Sequence, residues 1–526
     1  MLLIVLVFAL AALLRFINLD RHSLWLDEAA TWWNATRGSW LASAFAEANH
    51  APGWWLVTRV FVRAFGDNEF IIRLPAVVAG IACVPLVWLL ARRLLDPERV
   101  PDAAGFRGVD AGAAGSIALL ASIHPLWIEY SQEARMYAAL LAGSLGLSLL
   151  YLDWLRTRRT RSLVLYALVG AITLYFHHLA ALTMIAHACF ALWEGLRRRR
   201  LVSFVFPLAI AQACALALFL PWLLRTLQSG VSAATLGGFG RVERLGFALW
   251  RLAFGPSLAT LDRPRIDAGP IVLLREEAGI VIAGGAVVAL SIPFALRTLG
   301  RDSSARRFLL ASVIAPIAAL LLAFSWVPLL HEKFLIMVAP YVLLLLVLGA
   351  RNAPGLLRHF LLTGVFGLGV LGTFAYFMPD SPIVSRLAVH GHPYGKEDWR
   401  GARSWIAERA HRGDIVFLYP PYLKLPWDYY DRERTKTVPL PRRPVSLEEL
   451  TLSAPGWQAA SRTFLVTAGI RANERKGLVQ DLSTWTARFG SGRPTGLIES
   501  KLLTPHWGVW VYEFEGPEAD SPRSTR

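Results

Sequence analysis

The sequence predicts a mainly α-helical protein that crosses a membrane about eleven times and ends in a small α/β domain outside it. Three observations carry this expectation. Of 526 residues, 55% are hydrophobic and 20 are Trp, and the mean hydropathy is +0.44. Apolar runs of about 20 residues, the length that crosses a bilayer core, recur along residues 1–378. From residue 379 the hydropathy falls, and strand-like and helix-like patterns alternate. This composition excludes a disordered chain, a fibrous repeat and a cytosolic enzyme.

The spans are expected near residues 1–18, 73–91, 113–129, 136–155, 162–176, 179–196, 201–224, 278–296, 308–328, 334–350 and 357–378. The first run has no basic n-region and no small-residue cleavage site, so it reads as an uncleaved span. With the N-terminus in the cytoplasm, the inner connections hold Arg92, Arg93, Arg99 and Arg107, then Arg156, Arg158, Arg159 and Arg161, then Arg197 to Arg200. Arg297, Arg301, Arg306, Arg307, Arg351 and Arg358 complete the set, while the short outer turns hold only Arg135 and Lys333. The positive-inside rule favours this orientation. Eleven spans then put the C-terminus outside, and the protein is expected in the inner (plasma) membrane.

The net charge of +16 does not point to nucleic acid. Residues 1–378 carry 33 Lys and Arg against 21 Asp and Glu, whereas residues 379–526 carry 21 against 17. The excess lies among the spans, where it sets topology. Cys83, Cys189 and Cys214 all fall within apolar runs and imply no disulfide framework.

Two outer loops are long, residues 19–72 and 225–277. In the first, Trp40 to Phe45 and Trp54 to Phe65 have helical spacing and suit amphipathic helices in the membrane interface. Further on, Asp398 to Arg412 reads as a helix, and Asp414 to Tyr419, Arg462 to Ala468 and Trp507 to Phe514 read as strands. The chain is therefore expected to form a membrane domain, 1–378, and an extracytoplasmic α/β domain, 379–526.

Ionisable residues near a membrane are costly unless paired or functional. Those at outer span ends share one side: Asp27 and Glu28 in the first loop, Glu133 and Arg135 with Tyr137 in the second, His177 and His178 in the third, and His331, Glu332 and Lys333 in the fifth. Lys333 is the only lysine in the first 395 residues. A carboxylate there can take a proton from an attacking hydroxyl. Arginine binds a phosphate with paired hydrogen bonds, and lysine does so as a point charge. A phosphate at that depth suggests a lipid phosphate, and the chemistry suggests group transfer to an acceptor outside the cytoplasm.

The stretch Arg15 to Ala30, with Leu-Asp-Arg-His-Ser-Leu-Trp-Leu-Asp-Glu-Ala, resembles the first loop of bacterial family-39-type glycosyltransferases. These belong to the GT-C class, with the protein O-mannosyltransferases and the lipid A aminoarabinose transferases. His50-Ala51-Pro52-Gly53-Trp54-Trp55 resembles the family's His-Pro-Pro-Leu-Tyr-Tyr pattern, and Phe65-Gly66-Asp67 and Arg73-Leu74-Pro75 follow it in order. Ser131 to Tyr137 resembles its Gln-Glu-Ala-Arg-Met-Tyr motif, and Tyr175 to Leu179 its histidine-containing turn. The resemblance implies a polyprenyl-phosphate sugar as donor and Asp27 as catalytic base, with Glu28 as its acidic neighbour. It places Arg135 and Lys333 at the donor phosphate, and His50, Tyr137, His177 and His178 at the substrate. The acceptor implied is a protein, lipid or glycan. The chain departs from the pattern at Ala51, where the family has proline, and at Lys333, where relatives often carry arginine.

Plainer readings stand beside these. Asp27 and Glu28 suit the N-terminus of a helix, Arg135 could pair with Glu129 or Glu133, and Lys333 with Glu332. His50, His177 or His178 with Glu28 are types that bind divalent metals. The spacing does not force a metal, and none is assigned. Trp427-Asp428-Tyr429-Tyr430 is a partial match to the Trp-Trp-Asp-Tyr-Gly signature of oligosaccharyltransferases, without its first Trp or its Gly. A rival class, a flippase of lipid-linked sugars, predicts paired repeats and charged groups at mid-membrane. Neither feature is evident.

Overall fold

The computed structural model describes residues 2–47, 50–95, 111–229, 240–258, 271, 275–301, 303–323, 330–379, 381–382, 396–411, 413–431, 435–440, 447–455, 457, 460, 462–470, 472–489, 497–502 and 508–515. Arg99, Arg107 and Trp507, used in the topology and strand expectations, lie outside the described residues. The chain forms two compact units: Met1–Leu19 with Asn34–Pro393, and Asp20–Trp33 with Tyr394–Arg526.

The helices of the first half are α1 Leu2–Phe16, α2 Leu26–Thr36, α3 Trp40–Ala44, α4 Gly53–Phe65, α5 Glu69–Leu95, α6 Ala111–Ser122, α7 Pro125–Ser131 and α8 Tyr137–Thr157. They are followed by α9 Thr160–Phe176, α10 Ala180–Arg197, α11 Leu201–Ser229, α12 Arg241–Phe254, α13 Ala278–Leu299 and α14 Ser304–Ala323. A 3-10 turn, Glu332–Val338, leads into α15 Ala339–Asn352, and α16 Gly355–Phe377 completes the first unit.

Among the described residues, each apolar run expected to span overlaps helix. Among the described residues, seven stretches are long and apolar enough to cross a membrane: α5, α8, α11, α13, α14, Glu332–Asn352 and α16. Shorter apolar helices occupy Leu2–Phe16, Gly112–Ser122 and Thr160–Phe176. The run at 113–129 is not one helix. Pro125 disfavours helical backbone at the residue before it, and His124 is accordingly extended (φ −74°, ψ 120°), dividing α6 from α7. In the first outer loop, α3 and α4 fall where the two aromatic clusters predicted helices. Ser39 caps α3 by accepting from Ala42 N–H, at 3.1 Å.

Buried polar groups join the helices end to end. The buried Arg15 guanidinium donates to Ala11 O, Ala121 O and Ser122 O at 3.0–3.3 Å, placing a cation on the C-terminal carbonyls of α6. Gln132 Nε2 donates to Leu14 O, Arg15 O and Ile17 O, closing the last turn of α1, while its Oε1 accepts from Tyr376 of α16 at 2.9 Å. At the opposite end of the helices, Glu194 of α10 accepts from Arg197 (3.2 Å), Arg198 and Arg307 of α14 (2.6 Å). Where backbones touch, glycine is required. A Cβ on Gly349 of α15 would lie 1.8 Å from Ser291 O of α13.

The second unit holds α17 Trp399–Ala407, β1 Ile415–Tyr419, α18 Lys424–Tyr430, β2 Lys436–Pro439, α19 Leu447–Ser453, β3 Arg462–Thr467, α20 Ala472–Phe489, β4 Leu497–Leu502 and β5 Trp510–Glu515. The sheet order is β2-β1-β3-β5-β4. β1 is parallel to β2 and β3, while β5 is antiparallel to β3 and β4. Central β1 is buried throughout, with Ile415, Phe417 and Tyr419 in one apolar cluster and Val416 and Leu418 in another. That burial explains its continuous apolar run.

Candidate active site

In the first unit, the turns after α7, α9 and before α15 bring sequence-distant candidates together. Tyr137 opens α8, and its ring centroid lies 5.8 Å from that of His177, the C-cap of α9. His177 and His178 are 4.6 Å apart by centroid, and Phe334 stands 6.2 Å from His177. Lys333 Nζ lies over Tyr137 (5.7 Å) and Phe334 (5.3 Å). The ammonium therefore faces the aromatic wall of this cluster, a cation–π arrangement.

The buried Glu332 accepts from Arg251 of α12 at 2.7 Å, and His331 Nδ1 lies 2.9 Å from its other oxygen. This pair fixes the 3-10 turn from within, and Leu335, Ile336, Met337 and Val338 are buried behind it. Arg135 is also buried, in the turn between α7 and α8. Trp54 of α4 donates to Ala134 O in the same turn, at 3.1 Å.

The electrostatics show who neighbours whom. Burial holds His177 well below the usual histidine value, and the charges of His178, His50, Arg135 and Lys333 add to the effect. Burial likewise pushes His178 down to about 4. Both imidazoles are therefore neutral near pH 7, able to hydrogen-bond without adding charge. His50 Nδ1 is 2.7 Å from Glu47 Oε1, and Asn34 Nδ2 donates to Glu47 Oε2 at 3.1 Å. Burial alone would raise Glu47, but the bond to His50 and the charges of His50 and Arg135 leave it below the usual carboxylate value. Glu47 was not singled out in the sequence. Its place three residues before His50 is the signal that could have found it.

Asp27 and Glu28 belong to the second unit, in the first turn of α2, where acidic residues suit the helix N-terminus. Their loop is clasped by the residues around α17. Arg400 N–H donates to Ser23 Oγ at 3.1 Å, and its guanidinium to Asp20 O at 3.1 Å. Ser23 Oγ also donates to Asp398 Oδ1 at 3.4 Å. Leu24 N–H donates to Tyr430 Oη at 2.7 Å, and Trp32 packs edge-on to Tyr429 at 5.0 Å. The tyrosines of the partial Trp-Asp-Tyr-Tyr match thus hold the acidic loop.

Glu28 is fully buried, and Lys396 Nζ lies 3.3 Å from its Oε2. Beside them, burial pushes Glu397 up to about 7, and the charge of Asp27 adds to the rise, although Trp399 Nε1 donates to it at 2.8 Å. Lys396 and Glu397 were not among the sequence candidates. Yet the count that isolated Lys333 ends one residue short of Lys396. Among the described residues, no three His, Cys, Asp or Glu side chains are grouped closely enough to hold a metal ion.

The chain resembles known proteins in sequence and in fold. Residues 49–224 match the family described as dolichyl-phosphate-mannose-protein mannosyltransferase. The undecaprenyl phosphate-alpha-4-amino-4-deoxy-L-arabinose arabinosyl transferase of Pseudomonas aeruginosa (strain UCBPP-PA14) is 29% identical over 221 residues, 40% of this chain and 37% of that protein. A second transferase of that description, from Pseudomonas fluorescens (strain Pf0-1), is 27% identical over 129 residues, 22% of each chain. The chain thus spans well under half the length of these curated relatives. The crystal structure of ArnT from Cupriavidus metallidurans bound to undecaprenyl phosphate shares the fold, at a TM-score of 0.54 and 13% identity over 97% of both chains. The archaeal oligosaccharyltransferase AglB from Archaeoglobus fulgidus gives 0.51 and 13% identity, over 99% of this chain and 75% of that one. Residues 49–224 are thus similar to the dolichyl-phosphate-mannose-protein mannosyltransferase family, and the chain shares the fold of ArnT from Cupriavidus metallidurans.

Proposed function

We propose that this chain moves a sugar from a polyprenyl-phosphate donor, of the undecaprenyl type named for its relatives, to an acceptor on the extracytoplasmic face. The observation that carries this reading is the cluster of Tyr137, His177, His178 and Lys333, with Arg135 among the charges acting on His177. Three separate turns contribute cations, neutral imidazoles and an aromatic face, which suits a sugar attached to a phosphate.

Asp27 takes the proton from the acceptor hydroxyl. The oxygen attacks the anomeric carbon from the face opposite the leaving group, a new C–O bond forms, and the configuration inverts. The old C–O bond breaks with its electron pair on the phosphate, which departs as the polyprenyl phosphate. Arg135 and Lys333 neutralise the charge that develops there. Glu28, held by Lys396, orients the loop that carries Asp27. His50, Tyr137, His177 and His178 contact the sugar. Eleven spans, a cytoplasmic N-terminus and residues 379–526 outside complete the reading, with those residues serving acceptor recognition.

Purified protein given a labelled polyprenyl-phosphate sugar in vesicles tests it. Release of polyprenyl phosphate with labelled acceptor supports the enzyme, and Asp27→Asn should cut turnover at least about 100-fold while sparing donor binding. Movement of the intact donor across the bilayer without transfer would make the protein a flippase and refute the proposal.

A further inference from the structure

At the other end of α9 from His177 lies a second site. A groove of about 1400 Å³ opens between the end of α8, the start of α9, the end of α10 and α11. Arg158, Arg197, Arg198 and Arg200 line it. Helix α9 has 17 residues, so about 25 Å of helix separates this groove's mouth from the candidate active site.

The arginines are built into the fold. Arg158, at the left-handed C-cap of α8 (φ 55°), lies over Trp154 (4.5 Å) and Phe204 (4.6 Å) and donates to Ser203 O at 3.2 Å. Arg198 is held by Glu194 and by Ser304 Oγ, 3.3 Å away. Glu194 also receives Arg197 and Arg307. Positive charge therefore exceeds negative at the mouth. Arg197 and Arg200 are exposed.

The rest of the groove is mostly apolar. Its α11 wall runs from Ser203 to Leu218, about 22 Å of helix, more than the ~15 Å depth of one leaflet. Leu168, Ile210 and Leu218 are about half exposed, as bilayer-facing side chains are. The far end is narrow. A Cβ on Gly170 would lie 3.2 Å from Ala215 Cβ, and Tyr175 Oη donates to Leu218 O at 3.1 Å. A small anion would use the arginines and leave the apolar wall empty. A neutral lipid would do the reverse.

We infer that this groove binds one anionic glycerophospholipid, its phosphate on the arginines and one acyl chain along α11. On the charge count the mouth faces the cytoplasm, so this lipid is held on the face opposite the transfer chemistry.

Native mass spectrometry of the full chain tests the inference, using equal amounts of phosphatidylglycerol and phosphatidylcholine with the same acyl chains. Phosphatidylglycerol should be retained about tenfold over phosphatidylcholine. Arg197→Gln/Arg200→Gln, at exposed positions, should bring that ratio near one and leave phosphatidylcholine retention unchanged. Cys214→Trp, which fills the groove from its exposed wall, should lower retention of both lipids. Soluble glycerol 3-phosphate at millimolar concentration should displace neither. Equal retention of the two lipids by the native protein, an unchanged ratio in the folded Arg197→Gln/Arg200→Gln variant, or unchanged retention in folded Cys214→Trp would overturn the proposal. Displacement by glycerol 3-phosphate would make this a simple anion site, and preferential capture of polyprenyl phosphate would make it a donor-lipid site. Either result refutes it.

Discussion

Replacing Lys396 by methionine keeps most of the side chain's volume and removes its charge from beside a fully buried carboxylate. In the native protein Lys396 Nζ lies 3.3 Å from Glu28 Oε2, and Lys396 is itself largely buried. Breaking a buried pair from one side costs about 3–5 kcal/mol. Proton uptake by Glu28 sets a ceiling on that cost. From a reference pKa of about 4.3, protonation at pH 7 costs roughly 3.7 kcal/mol. The expected loss is therefore about 3–4 kcal/mol, which for a unit of about 150 residues lowers its melting temperature by roughly 6–16 °C. The pH dependence gives the sharper test. In the variant, native Glu28 keeps a proton that the unfolded chain has lost, so stability rises as pH falls. At pH 5 the penalty should shrink to about 1 kcal/mol. Differential scanning fluorimetry on tryptophan emission, from pH 5 to 8 in one detergent, measures both quantities. Lys396→Met/Glu28→Gln should recover most of the loss at pH 7, because neither partner is then charged. A single variant that melts within about 1 °C of wild type at pH 7, or with no added pH dependence, would refute the view that this ion pair secures the acidic loop.

Two further outcomes are expected. Arg135→Ala and Lys333→Ala should each lower kcat/KM for the polyprenyl-phosphate donor by at least about tenfold, and Arg135→Lys should rescue only in part because the forked geometry is lost. Unchanged donor kinetics in both alanine variants would place the phosphate elsewhere. Alkaline phosphatase fused at the C-terminus should be active, and green fluorescent protein exported unfolded to the same end should stay dark. The opposite pattern would overturn the eleven-span topology.

The helices of the first unit that lie on the expected spans were legible because each buries or presents an apolar run, and such runs need no knowledge of partners; α12, in the second outer loop, was not foreseen. The amphipathic helices Trp40–Ala44 and Gly53–Phe65, and strands β1, β3 and β5, were legible by the same local logic. What escaped depends on contacts distant in sequence or on very short segments. β2 has only four residues on the sheet edge, and its exposed first residue, Lys436, breaks the apolar pattern. Pro125 was visible, but the apolar residues on both sides masked the break it causes. Arg251 was invisible as the partner of Glu332 because 81 residues separate them. The role of Gln132 was hidden by its motif. It stands beside Arg135, yet its amide spends its hydrogen bonds on α1 and Tyr376. Loss of activity on changing Gln132 would therefore report folding before chemistry.

The 3-10 turn under Lys333 bears on the thermodynamics of donor capture. An ammonium on a flexible stem normally loses rotamer freedom when it takes hold of a ligand, about 0.5–1.5 kcal/mol for each such side chain ordered at binding. Here Leu335 to Val338 are packed beneath it and the Arg251–Glu332 pair braces the turn. The ordering of the turn itself is therefore complete when the chain folds, and under the proposed function the donor would meet a backbone that is already set. Under the proposed function, such a site would discriminate by rejecting phosphates whose attached sugar does not suit a fixed frame.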